Sequence, residues 1–363
     1  MRPKSSSIST RVQFNHKRMP MDTTKQATPK RRQRSALETI LRKYLLVFAI
    51  ATGGIVFTLF HNIPALAPLK PAAYFVGDRM LPVFIFTMLY LSFCKVNARD
   101  MRPHKWHLAL YTLMFLTTLA LSLAIRWTDS PTARILLEGA LICVVCPPAA
   151  AAGVIGGHIG GNESSIVTGV LIGNLLASLC IPGFFPLFTS KMGGSFLQEF
   201  MLLAGHVFPV IVLPLILAFA TKLFFKRLHR FITTTLHDAS FYIWGVTLSV
   251  VAGRSFDVIA NSPEPASVIW ALAGIGLVIT AFNFATGKIV GQLCGQRISA
   301  GQAYGQRNGV FGLWISLSFL DPAAAIAQGC YILWQNCMNS WQIWHRERYV
   351  ERCAKAGVRP YAE

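Results

Sequence analysis

Acidic side chains are scarce in this sequence. Asp and Glu number 15 against 34 Lys and Arg, and charged residues of both signs make up only 13% of the chain. Soluble domains carry about a quarter, so a water-facing surface over most of the chain is excluded. Chemistry-bearing motifs are missing too. There is no phosphate-binding loop, zinc motif or nucleophile elbow. Gly156-Gly157-His158-Ile159-Gly160-Gly161 is rich in glycine but follows an apolar segment rather than a strand, so it is no dinucleotide fingerprint. Cys143-x-x-Cys146 has no second cysteine pair and no histidine partner, and cysteines inside apolar runs behave as small hydrophobes. No metal, no cofactor and no enzymatic activity are expected.

What the chain does have is long apolar runs. Hydrophobic residues make up 53% of it, and repeated runs of roughly 18 residues or more define a multi-pass α-helical membrane protein. Ten spans are expected, at about 44–60, 80–95, 107–126, 133–159 with a break, 164–189, 198–222, 233–253, 265–286, 298–320 with a break, and 323–345. The net charge of +19 suggests nucleic acid, but the basic residues are dispersed between the spans. With the N-terminus inside, inner segments hold 27 Lys and Arg, outer ones 6, and only Arg307 is left within a span. That asymmetry is how loop charge sets topology. It places both termini in the cytoplasm of a cytoplasmic (inner) membrane and leaves no nucleic-acid partner.

Residues 1–43 are basic, with Lys30-Arg31-Arg32-Gln33-Arg34 the densest cluster, and read as a disordered tail. An acid-poor organellar transit peptide and an over-long start before Met19 or Met21 are the other readings. The remainder divides into a ten-helix body, 44–345, and a basic C-terminal tail, 346–363.

Two spans carry helix-interrupting residues. Pro147 and Pro148 remove two backbone donors, and Gly153, Gly305 and Gly309 permit irregular backbone. Freed backbone groups are tolerated at membrane depth only where protein or a water-filled cavity satisfies them. The breaks lie about 156 residues apart, and spans one and six begin about 154 apart. The pattern predicts an all-α membrane protein of ten transmembrane helices, built as two five-helix repeats inverted relative to each other. Helices four and nine would be broken and would mark a transporter binding site.

Three places resemble the bile acid:sodium symporter superfamily. Cys146-Pro147-Pro148-Ala149 followed by Gly160-Gly161-Asn162 is similar to the family's Cys-Pro-Gly-Gly break and Gly-Asn turn. Gly305-Gln306-Arg307-Asn308 is similar to its Glu-x-Gly-x-Gln-Asn crossover, and Trp334-Gln335-Asn336 to its Trp-x-Asn. The resemblance implies a panel domain of spans 1, 2, 6 and 7, and a core domain of spans 3–5 and 8–10. Helices four and nine would cross at their unwound centres, with an organic anion bound beside the crossing. It therefore marks Pro147, Pro148, Ala152, Gly153, Gly305, Gln306, Arg307 and Asn308 as the crossover and substrate-binding set.

The departures from the family are informative. Its sodium ligands are a Ser-Asn pair, span-five hydroxyls, and a Glu and a Gln in span nine. In register, this chain has Ala152-Gly153, Ile166 and Val170, Ala303 and Arg307. A hard cation wants several oxygen ligands, so sodium coupling at those positions is not expected. Proton coupling and uncoupled exchange stay open. An arginine at membrane depth marks a functional site by default, and Arg307 reads as a fixed cation replacing bound sodium and attracting the anion. Glu138, His158 and Glu163 are candidates for coupling or ion pairing. Glu138 could instead pair with Arg307 or cap its span near Arg134, and His158 and Glu163 could simply flank a glycine-rich turn.

Gln335, Asn336 and Asn339 suit interhelical hydrogen bonding, and Gly169, Gly173, Gly287 and Gly291 suit close helix contacts. His206 reads as a hydrogen-bonded packing residue, and Trp106, Trp127 and Trp344 as interfacial anchors. The expected function is secondary transport of small organic anions by alternating access, in partnership with the lipid bilayer. A membrane receptor or sensor that binds without transporting is the alternative, and nothing in the sequence fixes an oligomeric state.

Overall fold

The breaks that proline and glycine impose are the landmarks of the fold. A computed structural model describes residues 36–96, 101–189 and 195–363. Its α-helices are α1 (Ala36–Asn62), α2 (Lys70–Phe75), α3 (Leu81–Phe93), α4 (Lys105–Trp127), α5 (Pro131–Val145), α6 (Ala152–His158), α7 (Glu163–Phe184), α8 (Phe196–Phe224), α9 (Lys226–Thr234), α10 (Ala239–Asn261), α11 (Ala266–Leu293), α12 (Arg297–Gly305), α13 (Gly309–Phe319) and α14 (Ala325–Lys355). No strand occurs among the described residues. The basic N-terminal cluster lies outside them, and of Met1–Lys43 only the opening of α1 is described. Tyr44–Glu363 forms one compact unit.

Five helical segments are long and apolar enough to cross a membrane by length and composition among the described residues: α4, α7 with its 3-10 extension to Leu187, α8, α10 and α11. The other expected spans are shorter, interrupted or, like the continuous 31-residue α14, not apolar enough by composition. Pro147 cannot donate and forces Cys146 out of the helical region, to φ −51° and ψ 129°, which ends α5. Gly160, at φ +95°, closes the turn after α6, and the Asn162 side chain then caps α7 by accepting from the Ser165 N–H at 3.0 Å. Past Gly305 the chain turns extended at Gln306, and Asn308 restarts it by accepting from the Phe311 N–H. Near the start of the unit, the α1 helix turns through 113° into the segment from Pro64.

Boundaries differ from the sequence expectation in several places: α1 already begins at Ala36 rather than 44, inside the stretch expected as a disordered tail, helix precedes the span expected from 80, and α11 runs on to Leu293 rather than 286. Three further differences have a local reason. The span expected from 233 begins instead at Ala239, because Lys226–Thr234 forms the separate helix α9. Its far end continues past 253 to Asn261, since Arg254 pairs with Asp257 at 2.8 Å within the helix and its charge no longer marks a loop. The 346–363 stretch opens as the last turns of α14 and ends with Glu363 against α12.

Small residues set the packing. A Cβ at Gly287 would meet the Ala300 carbonyl at 2.8 Å and the Gly301 Cα at 2.9 Å, so α11 lies backbone to backbone on α12. Gly173 receives the Pro148 ring and Gly169 the Trp106 ring. Trp106 is not an interfacial anchor: it is fully buried and donates to Gln296 Oε1 at 2.7 Å. Trp127 and Trp344 are exposed. His206 bonds its own helix at the Leu202 carbonyl and sets its ring edge-on to Phe319.

Candidate functional site

Two unwound segments meet in the middle of the unit. Pro148 and Arg307 form an antiparallel bridge. The Ala149 N–H donates to the Gln306 carbonyl at 2.9 Å, and the Asn308 N–H donates to the Pro147 carbonyl at 2.8 Å. These are main-chain bonds, so the crossing is fixed by the two breaks themselves.

The remaining freed groups find side chains. The Asn174 amide donates to the Pro148 carbonyl at 3.1 Å, and the Tyr331 hydroxyl to the Gly305 carbonyl at 2.6 Å. Gln335 grips Arg307 from both directions, accepting from its N–H at 2.9 Å and donating to its carbonyl at 3.2 Å. The Cys146 thiol donates to the Asn308 carbonyl at 3.0 Å. Asn283 reaches both the Tyr331 hydroxyl, at 3.1 Å, and the Cys143 carbonyl. Buried backbone groups at such a break are costly unless paired, and here α7, α11 and α14 supply the partners, with Cys146 of the break itself.

Arg307 is fully buried at this point. Its Nη1 donates to the Cys146 carbonyl at 3.2 Å and lies 3.6 Å from Met114 Sδ, and its guanidinium rests 4.6 Å from the centre of the Tyr304 ring. The Cys146 carbonyl belongs to the C-terminal end of α5, where a helix concentrates negative potential. The nearby ionisable groups are the phenols of Tyr111, Tyr304 and Tyr331 and the Cys146 thiol. No carboxylate pairs with Arg307 among the described residues, and its Nε and Nη2, like the adjacent Asn308 Nδ2, have no hydrogen-bond partner there. A buried cation with donors to spare suits an anion, and its planar fork suits a carboxylate, phosphate or sulfate.

The crossover residues named from the sequence fall together. Pro147, Pro148, Gln306, Arg307 and Asn308 form the crossing, and Gly305 packs against the Phe284 ring. Ala152 and Gly153, both buried, open α6, where a Cβ on Gly153 would meet Val167. Glu138, His158 and Glu163 lie elsewhere. Glu138 accepts from Arg134 at 3.1 Å and from the Asp321 N–H at 2.8 Å, which ties α5 to the turn before α14. His158 and Glu163 are exposed on the turn between α6 and α7.

Other polar residues at the site were not singled out from the sequence. Tyr111, Asn174, Asn283, Gln302, Gln328 and Tyr331 are all buried. Gln302 donates to Gln306 at 3.0 Å and to Asn339 at 2.7 Å, and Gln328 reaches the Cys146 sulfur. The available signal was an amide within an otherwise apolar run, as at Asn174 and Asn283.

No curated protein matches the sequence. The family model for the sodium bile acid symporter family matches residues 82–262, from α3 through the end of α10. That segment holds the first break and four of the five helical segments able to cross a membrane. Taken with the apolar helices, the match makes this a multi-pass integral membrane protein, transporter-like in kind, and the chain belongs to the sodium bile acid symporter family.

Proposed function

We propose that the protein is a secondary transporter of small organic anions that works by alternating access, with Arg307 as the fixed cation of its binding site. The observation that carries this reading is the Arg307 guanidinium, buried at the crossing with Nε and Nη2 unpartnered among the described residues. A buried charge without a counter-ion is costly, and an anionic substrate is the natural group to balance it.

The helices group into ten spans in this reading. α2 joins α3, α5 joins α6, and α12 joins α13, while α9 lies outside the spans. The crossing is then the meeting point of two inverted five-helix repeats, one ending in α7 and the other in α14. Support comes from the antiparallel bridge, which relates the two breaks as equals. The positions where the family carries sodium ligands hold Ala152, Gly153, Ile166, Val170 and Ala303, all buried and all without side-chain oxygens. Transport is accordingly independent of sodium, and Arg307 supplies the positive charge that sodium would bring. The chain acts as a carrier rather than as an enzyme or a receptor.

The test is uptake into sealed proteoliposomes with a panel of labelled monocarboxylates, dicarboxylates and sulfated organic anions. Saturable accumulation in choline medium, abolished by Arg307→Gln, is the expected result. Saturable binding with no accumulation in vesicles of either orientation would make the protein a receptor built on this fold.

A further inference from the structure

We propose that α9 is an interfacial helix that holds the protein to anionic lipid headgroups through Lys226, Arg227 and Arg230. The inference rests on the chain being in a membrane and not on its transporting anything.

α8 is a 29-residue apolar helix that ends at Phe224, and α9 begins two residues later, at Lys226. Phe225, at φ −117° and ψ 60°, redirects the chain between them. The turn therefore falls where a spanning helix leaves the hydrocarbon. At about 100° per residue, α9 has three faces. One is turned to the protein: His229 Nε2 donates to the Cys94 carbonyl at 2.9 Å, and Ile232 is 2% exposed. The second is apolar and open, with Leu228 46% and Phe231 49% exposed, continuing the exposed Phe224 and Phe225. The third carries Lys226, Arg227 and Arg230 within an arc of about 100°, all exposed. None of the three cations has an ion pair among the described residues.

An apolar face beside an unpaired basic face fits one surface, the boundary between acyl chains and anionic headgroups. The apolar face alone would suit any lipid, but three free cations add a requirement for negative charge. Lys222, one turn back on α8, donates to the Val96 carbonyl at 3.1 Å, so the start of this segment is anchored to the end of α3.

The experiment uses the full chain in nanodiscs of phosphatidylcholine alone and of phosphatidylcholine with phosphatidylglycerol, followed by hydrogen–deuterium exchange. Amides of 225–235 are expected to exchange more slowly in the anionic discs. The protection should vanish at about 1 M salt, where the Debye length falls to roughly 3 Å. The variant Lys226→Gln/Arg227→Gln/Arg230→Gln should lose it too, needing about fivefold more phosphatidylglycerol for each charge removed. An unchanged unfolding midpoint in phosphatidylcholine alone establishes that this variant is folded. Protection that persists in the variant, protection insensitive to salt, or equal exchange of the wild type in both discs would overturn the proposal. So would equivalent protection by polyglutamate in lipid-free detergent, which would assign the surface to an acidic protein instead.

Discussion

Arg307 Nη1 lies 3.2 Å from the Cys146 carbonyl, so a cation carried by one broken helix is held at the negative end of the other. That contact uses only part of the guanidinium. The rest of its hydrogen-bonding capacity, at Nε and Nη2, remains at the crossing.

Arg307→Gln separates function from stability. Removing an uncompensated buried charge relieves its desolvation cost, while the Gln335 bonds to the main chain at 307 survive the change. The unfolding midpoint of this variant is expected to equal or exceed that of the wild type. Affinity for the anion of the proposed function should fall by about 100-fold, as loss of a buried charge-assisted bond of roughly 3 kcal/mol implies. Calorimetry on both proteins reads the two quantities, and a parallel fall in midpoint and affinity would assign Arg307 a structural role only.

Sodium should leave the protein's stability unchanged. A ligand that binds only the folded state raises stability by RT ln(1 + [L]/Kd). Thermal unfolding in sodium chloride and in choline chloride at equal ionic strength is expected to give the same midpoint. A saturating, sodium-specific rise would show a cation site that the apolar side chains of Ala152, Ile166, Val170 and Ala303 do not provide.

Two glycines of α11 should respond in opposite senses. Gly287→Ala would press a methyl onto the Ala300 carbonyl and the Gly301 Cα, neither of which can move without shifting α12. It is expected to destabilise by about 1–3 kcal/mol. Gly274→Ala meets nothing within 4 Å and should be neutral or stabilise by up to about 1 kcal/mol through helix propensity. Denaturation midpoints of the pair check both.

Glu138→Ala should weaken the fold and spare the site. It removes the acceptor for Arg134 and for the Asp321 N–H, at a cost of about 1–3 kcal/mol. Anion affinity and its pH profile are expected to match the wild type. A shifted profile would make Glu138 a proton carrier.

Glu363→Ala should loosen one end of α12. The Glu363 carboxylate accepts from the Ile298 and Ser299 N–H groups at 2.6 and 2.9 Å and from the Ser299 hydroxyl at 2.7 Å, the arrangement of an N-terminal cap supplied from a distance. Amide exchange at 297–301 is expected to rise, by the equivalent of about 0.5–2 kcal/mol, with exchange in α13 unchanged.

The site was legible in the sequence to the degree that its residues carry a local signature. Pro147 and Pro148 stand side by side and remove two successive donors, where the single prolines Pro182, Pro209 and Pro214 are carried within helices. An arginine in an apolar run stands out by charge alone, so the crossing could be placed without coordinates. Partners such as Asn283 and Tyr331 have no such mark. An amide or a phenol in an apolar segment reads the same whether it faces a break or its own backbone, as Asn336 does at the Ile332 carbonyl. Trp106 failed for a related reason: its position near a helix end says nothing of Gln296, 190 residues away, which accepts its N–H. The helix α9 was missed because its apolar residues are few and its basic ones read as an ordinary loop.

The main-chain bridge between Pro148 and Arg307 has a consequence for the kinetics of ligand capture. With prolines in one segment and side-chain partners closing the backbone of both, the crossing is held by protein groups alone. If the proposed anion binds there, its capture is expected to need no coil-to-helix transition, with little conformational entropy to be lost at that step. Association should accordingly be set by diffusion and access, and a small heat-capacity change should accompany it.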